Sequence, residues 1–209
     1  MYSALYTLYL KFFFKNINIS GHIISNGFFN IEISKNAKLD ISGKIALRSN
    51  TLIAIRNGAK LTIGDGCFFN RNVSIVCREE IKIGKNSIFG ENVKIYDNDH
   101  RVVNGITCHN VFDTKKIIIG DNCWVGNDVN ILKGSIIKNK TIVGAMSLVK
   151  GELYKEGIYV GIPVKLLPYT KAKVDWYHCI LHKVKSLILR TVKHHNWKNI
   201  IQLLIERLK

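Results

Sequence analysis

The 209-residue sequence contains only two prolines and no Ser-, Gln- or Pro-rich tract, which leaves little room for a disordered linker. No apolar run reaches the roughly 18 residues of a membrane span. The opening Met1 to Phe14 has no basic residue ahead of its apolar stretch and no small-residue cleavage site after it, so export through a secretory signal is not expected. The five cysteines, Cys67, Cys77, Cys108, Cys123 and Cys179, show no CxxC spacing and no neighbouring His pair. Neither a disulfide framework nor a zinc site follows from them, and a reducing cytoplasm is the expected compartment. Acidic residues are also scarce: 31 Lys and Arg face 15 Asp and Glu, a net charge of +16. Such a field attracts phosphates, anionic lipids or acidic glycans. No basic-aromatic recognition motif accompanies it, so a nucleic-acid partner is not expected.

What the sequence does contain is a period of six. Ile119, Val125, Ile131, Ile137, Val143 and Val149 recur at that spacing, and four residues after each of the first five comes a small or β-branched residue: Cys123, Val129, Ser135, Thr141 and Ser147. Between them lie turn-formers such as Gly120-Asp121-Asn122 and Gly126-Asn127-Asp128. A helix cannot hold a six-residue stripe on one face, because successive anchors rotate by about 120°. A short strand followed by a corner can. Three such sides close a triangular coil of eighteen residues, with the aliphatic anchor inward, the small residue in the cramped corner, and Gly, Asn or Asp at the bend. The register continues upstream through Ile33, Leu39 and Ile45, then Ile63, Phe69 and Ile75, then Ile83, Phe89 and Ile95. It slips between sets, and a segment of roughly Arg101 to Lys116 breaks it, as an external loop would.

These residues resemble the hexapeptide-repeat acyltransferases over about residues 33 to 168. The likeness is strongest in "IIIGDNCWVGNDVNILKGSIIKNKTIVGAMSLVK" and in "GIPVKLL", which match the family's closing coils and its terminal Gly-x-Pro signature. The resemblance implies an all-β core, a left-handed parallel β-helix, an exception to the right-handed crossover rule. The flanks read as helical: Tyr2, Leu5, Tyr6, Tyr9, Leu10 and Phe13 follow helical spacing, as do Tyr177, Ile180, Leu181, Val184, Leu187 and Ile188. The expected organisation is a cap segment over 1–32, the β-helix over 33–168 and a basic helical extension over 169–209. Each flank either packs on the protein or rests on an anionic membrane.

Acyl transfer to a hydroxyl needs a base, and imidazole suits neutral pH. His100 ends "YDNDH" where the repeat breaks, at a coil edge beside the loop. The family's catalytic histidine stands at this place, so the resemblance implies general-base catalysis by His100. Asp97 is expected to orient the imidazole or bind the acceptor hydroxyl, and His109 lies in the loop. The resemblance further implies acetyl-CoA as donor, with Asn127 and Ala145 touching the pantetheine arm and Lys150 and Lys165 near the CoA phosphates; from the cysteine and histidine spacing no metal is expected. It implies a homotrimer with active sites in the grooves between chains. Within the family the chain looks most like the O-acetyltransferases that modify capsule or O-antigen, alongside maltose and galactoside acetyltransferases. N-acetylation of an aminosugar nucleotide and a non-catalytic binding scaffold are the competing readings. A γ-type carbonic anhydrase would need three converging histidines, and His100 and His109 have no third in the coils.

Overall fold

In a computed structural model, which describes residues 2–168, the chain winds as a parallel β-helix of triangular section. Its three faces are sheets of seven, eight and six strands, here faces A, B and C, visited in that order until the last coil, which turns back on face B. Each face carries an inward column that runs along the stack. On face A it runs Ile19, Ile41, Ile63, Ile83, Ile119, Ile137 and Leu153; on face C, Ile31, Ile53, Ile75, Ile95, Ile131 and Val149. All of these are buried. On face B the column holds Phe69 and Phe89, stacked with centroids 4.8 Å apart. The small residues of the repeat, Cys123, Val129, Ser135, Thr141 and Ser147, are buried at the corners as the period of six requires.

The coil is not uniform. Leu39 pairs with Leu61, 22 residues on, Leu61 with Ile81, 20 on, Trp124 with Ile142, 18 on, and Ile142 with Ile158, 16 on. The eighteen-residue turn expected from the hexad therefore holds only after the loop. Earlier coils have longer strands, such as Thr51–Ile55, that place two or three buried residues on a face and widen the core. The winding also begins earlier than residue 33: Ile17–Ile19 pairs with the strand from Lys38, and Phe29–Ile33 with the strand from Thr51. The segment before 33 thus contains a coil of its own. Its inward residue on face C is Ile31, leaving Ile33 half-buried.

Corners need left-handed backbone, and Asn or Asp adopt it at low cost for a non-glycine residue. Between faces B and C, Asn50, Asn72, Asn92 and Asp128 all have φ of 57° to 60°. Their side chains form a ladder of hydrogen bonds at 3.2, 3.0 and 2.9 Å.

The N-terminal helix, Tyr2–Phe13, lies over the first coil. Leu10 is buried there, Thr7 Oγ1 accepts from the Ile23 N–H at 3.3 Å, and Tyr6 packs edge-on to Phe29. An uncovered end of a β-helix would leave unpaired backbone groups and invite edge pairing. The helical extension expected over 169–209 lies outside the described residues.

Candidate active site

The break in the repeat is a β-hairpin at the corner between faces C and A. Asn98–Val103 pairs antiparallel with Ile106–Thr114. Asn104 and Gly105 between them have φ of 50° and 79°, the paired positive values of a type I′ turn. The Asn-Gly dipeptide is the signal in the sequence that identifies this segment as a hairpin rather than an irregular loop. The Lys115 N–H closes the hairpin base on the Asp97 carbonyl at 2.9 Å. Lys133, from the next coil, holds both strands: its Nζ lies 3.2 Å from Asp99 Oδ2 and donates to the Asp113 carbonyl at 3.2 Å.

His100 sits on the first strand of this hairpin, exposed, directly across from Phe112 with ring centroids 4.4 Å apart. Its Nδ1 is 3.1 Å from the carbonyl oxygen of Cys108. A carbonyl only accepts, so in this contact Nδ1 carries the proton, and a neutral ring presents the Nε2 lone pair as the free base.

Asp97, expected to contact the acceptor, is instead fully buried. It ends the face C ladder, one coil beyond Cys77, and its Oδ1 and Oδ2 accept from the backbone N–H groups of Arg78 and Glu79, each at 2.8 Å. A carboxylate so buried is out of a sugar's reach; it fixes the corner from which the hairpin springs. His109 is exposed on the second strand.

Asn127 and Ala145 occupy equivalent places in successive coils at the other corner, between faces B and C. The Asn127 Oδ1 accepts from the Glu91 N–H at 2.9 Å, as Asp121 does from Lys85 and Asn139 from Asp121. Lys165 stands on the antiparallel return strand against Val160, the next coil at that corner, whereas Lys150 follows face C at the hairpin's corner. Both lysines are exposed. A single chain therefore groups His100 with Lys150, and Asn127 and Ala145 with Lys165, separated by the width of face C, about 15 Å for some five extended residues.

The buried cysteines Cys67, Cys77 and Cys123 do not supply a nucleophile at neutral pH. Burial pushes the Cys67 thiol up to about 11 and raises Cys123 as well. Cys77 is raised by burial and then by the Asp97 carboxylate. Among the described residues no cluster of three His, Cys, Asp or Glu is placed to hold a metal ion.

No family model matches the chain. WbbJ of Escherichia coli (strain K12), a candidate lipopolysaccharide biosynthesis O-acetyl transferase, is 28% identical over 112 residues, 49% of this chain and 57% of WbbJ. The galactoside O-acetyltransferase of the same strain is 26% identical over 131 residues, 63% of this chain and 64% of that enzyme. The chain thus spans between half and two thirds of the length of these curated relatives. Among solved structures, a point mutant of AntD, an N-acyltransferase from Bacillus cereus in complex with dTDP and Coenzyme A, superposes with a TM-score of 0.61 at 20% identity, over 85% of this chain and 95% of AntD. That likeness is one of fold: the chain resembles the hexapeptide-repeat acyltransferases, and its coil is their left-handed parallel β-helix.

Proposed function

We propose that the protein is an acetyl-CoA-dependent O-acetyltransferase acting on a sugar hydroxyl of a bacterial surface polysaccharide, capsule or lipopolysaccharide O-antigen, or of its precursor, with His100 as general base. The observation that carries this reading is the exposed imidazole held through Nδ1 by the Cys108 carbonyl. Nε2 takes the proton of the acceptor hydroxyl as its oxygen bonds to the thioester carbonyl carbon. When the C–S bond breaks, the imidazolium returns that proton to the CoA sulfur, and neutral histidine is restored. On the donor side Asn127 and Ala145 would meet the pantetheine arm, while Lys150 and Lys165 would act as mobile point charges for the phosphates. The sugar acceptor is supported by the names of the two curated relatives. Incubation with acetyl-CoA and a glycan panel, followed by mass spectrometry, tests the reading. An acetyl ester with release of CoA supports it, an acetyl amide makes the protein an N-acetyltransferase, and no transfer with no acetyl-CoA binding leaves a binding scaffold.

The working unit in this proposal is a homotrimer, with each site built between two chains. Two observations support it. Asn127, Ala145 and Lys165 stand at a different corner of one chain from His100, and the outward column of face B is apolar throughout: Ile24, Ala46, Phe68, Ile88, Trp124, Ile142 and Ile158. The corresponding column on face A includes Asp40, Lys82 and Glu152. Light scattering is expected to give the trimer mass, and Trp124→Glu to dissociate it. Mixing His100→Ala chains with Lys165→Glu chains should restore about a quarter of wild-type activity, since random assembly leaves that share of interfaces with both good halves. A stable, active monomer would defeat the arrangement.

The proposed location is the cytoplasm, at the inner face of the membrane. No helix among the described residues is long and apolar enough to cross a bilayer. The N-terminal helix turns Leu5, Leu8, Phe12 and Phe13 outward, the last two 83% and 74% exposed, beside Lys11 and Lys15. Such a face suits the headgroup boundary of an anionic bilayer. Flotation with acidic-lipid vesicles should succeed at low salt and fail at high salt or in a Phe12→Ser/Phe13→Ser variant; equal recovery with neutral vesicles would remove this assignment.

A further inference from the structure

Arg78 is an unmatched charge beside the hairpin among the described residues. It follows Cys77 at the corner between faces C and A, and its backbone N–H is one of the two that Asp97 holds. Its guanidinium carbon lies 3.4 Å from the centroid of the Phe112 ring, the same ring that packs against His100 at 4.4 Å. Guanidinium and imidazole therefore contact one phenyl group, no further apart than these two contacts combined, a distance that a single sugar residue spans.

Several nearby carboxylates are committed elsewhere, and those of Glu79 and Glu80, next in the chain, make no ion pair with Arg78 among the described residues. Asp97 accepts from backbone, Asp99 pairs with Lys133, Asp113 with Arg101 at 2.7 Å, and Glu32 with Arg56 at 3.0 Å. Among the described residues Arg78 has no ion pair, and its Nε is buried without a hydrogen-bond partner. Arg56, one coil earlier on the same ladder, adds a like charge. Burial first, then Arg56, lowers the Arg78 pKa against an opposing pull from Asp97. Keeping an unpaired guanidinium partly out of water is unfavourable, and stacking on an aromatic face offsets only a part of it. The missing partner is an anion, and the fork of a guanidinium matches the two oxygens of a carboxylate or phosphate.

We propose that Arg78 anchors an anion subsite for the acceptor: the acceptor carries a carboxylate or phosphate that Arg78 binds while its reactive hydroxyl lies at His100 Nε2. The inference rests on the acetyltransferase reading for the role of His100, but the anion site itself is testable alone. Calorimetric titration of the full-length protein with p-nitrophenyl β-D-glucuronide, UDP-glucose and p-nitrophenyl β-D-glucoside separates carboxylate, phosphate and neutral probes. At least one charged probe should bind more tightly than the glucoside by about tenfold or more, an advantage that Arg78→Gln removes, Arg78→Lys recovers in part and salt weakens. The backbone N–H that Asp97 holds is kept in both variants, and thermal melting checks that they fold. Equal binding of charged and neutral probes, no binding of any of them, or the same affinity in Arg78→Gln would overturn the subsite. Acetyl-CoA titration in the same proteins reports on the donor side: charged-probe binding that depends on Arg78 in a protein that neither binds acetyl-CoA nor transfers acetyl would end the acetyltransferase reading and leave the anion site standing.

Discussion

Replacing His100 by Ala is expected to cut acetyl transfer by about 10² to 10⁴, some 3 to 5 kcal/mol of barrier, while leaving the fold and acetyl-CoA affinity nearly unchanged. The side chain is exposed, and its losses in the folded state are one hydrogen bond to the Cys108 carbonyl and the contact with Phe112. Surface changes of that kind shift stability by roughly half a kcal/mol. The informative pair of measurements is therefore kcat by CoA release and the melting temperature of the same sample. A variant that keeps most of its kcat removes His100 from catalysis; one that melts far below the wild type would mean that the imidazole serves the structure instead.

Asp97→Ala should show the opposite pattern, with stability lost first and activity as a consequence. The carboxylate spans the N–H groups of Arg78 and Glu79, and the Asn98 side-chain amide also donates to it at 3.1 Å. Hydrogen bonds to a charged group contribute more than neutral ones, and a donor left unsatisfied in a buried place costs about 1 to 3 kcal/mol. A loss of roughly 2 to 4 kcal/mol is expected, a fall in Tm of about 5 to 15 °C for a chain of this size. Because Asp97 also carries the carbonyl that Lys115 closes upon, the hairpin base shifts and kcat falls even where the protein remains folded. Asp97→Asn keeps one acceptor oxygen and should lie between Ala and wild type. Wild-type stability in Asp97→Ala, with acceptor KM alone raised, would reinstate a direct contact with the sugar.

The period of six made the coil legible because in a β-helix each residue's environment repeats with the backbone. Inward anchors such as Val125 and Val143 must be aliphatic, corner residues such as Ser135 and Ser147 must be small, and one misplaced side chain would break the stack above and below it. His100 was legible for the converse reason, as the first residue of chemical interest where that repetition stops. The early coils were less clear. Their 22- and 20-residue turns put buried residues at both ends of a strand, as Leu39 and Ile41 do, and a fixed spacing reads only one of them.

By itself, the sequence determined the winding, the corners and the place where a loop leaves the coil, all of them consequences of local backbone geometry and side-chain volume. Only the tertiary structure decided what the residues at that place do. Asp97 reads as polar and available, but its coil sets it beneath the backbone of Arg78 and Glu79, so it is buried and occupied. Arg78 belongs to the preceding coil, 22 residues before His100 in the chain, and meets it only because stacked coils and a folded-back hairpin bring both onto Phe112. Contacts between coils depend on the number of residues per turn, which varies along this chain, and no local pattern records which distant side chain a corner will bring alongside.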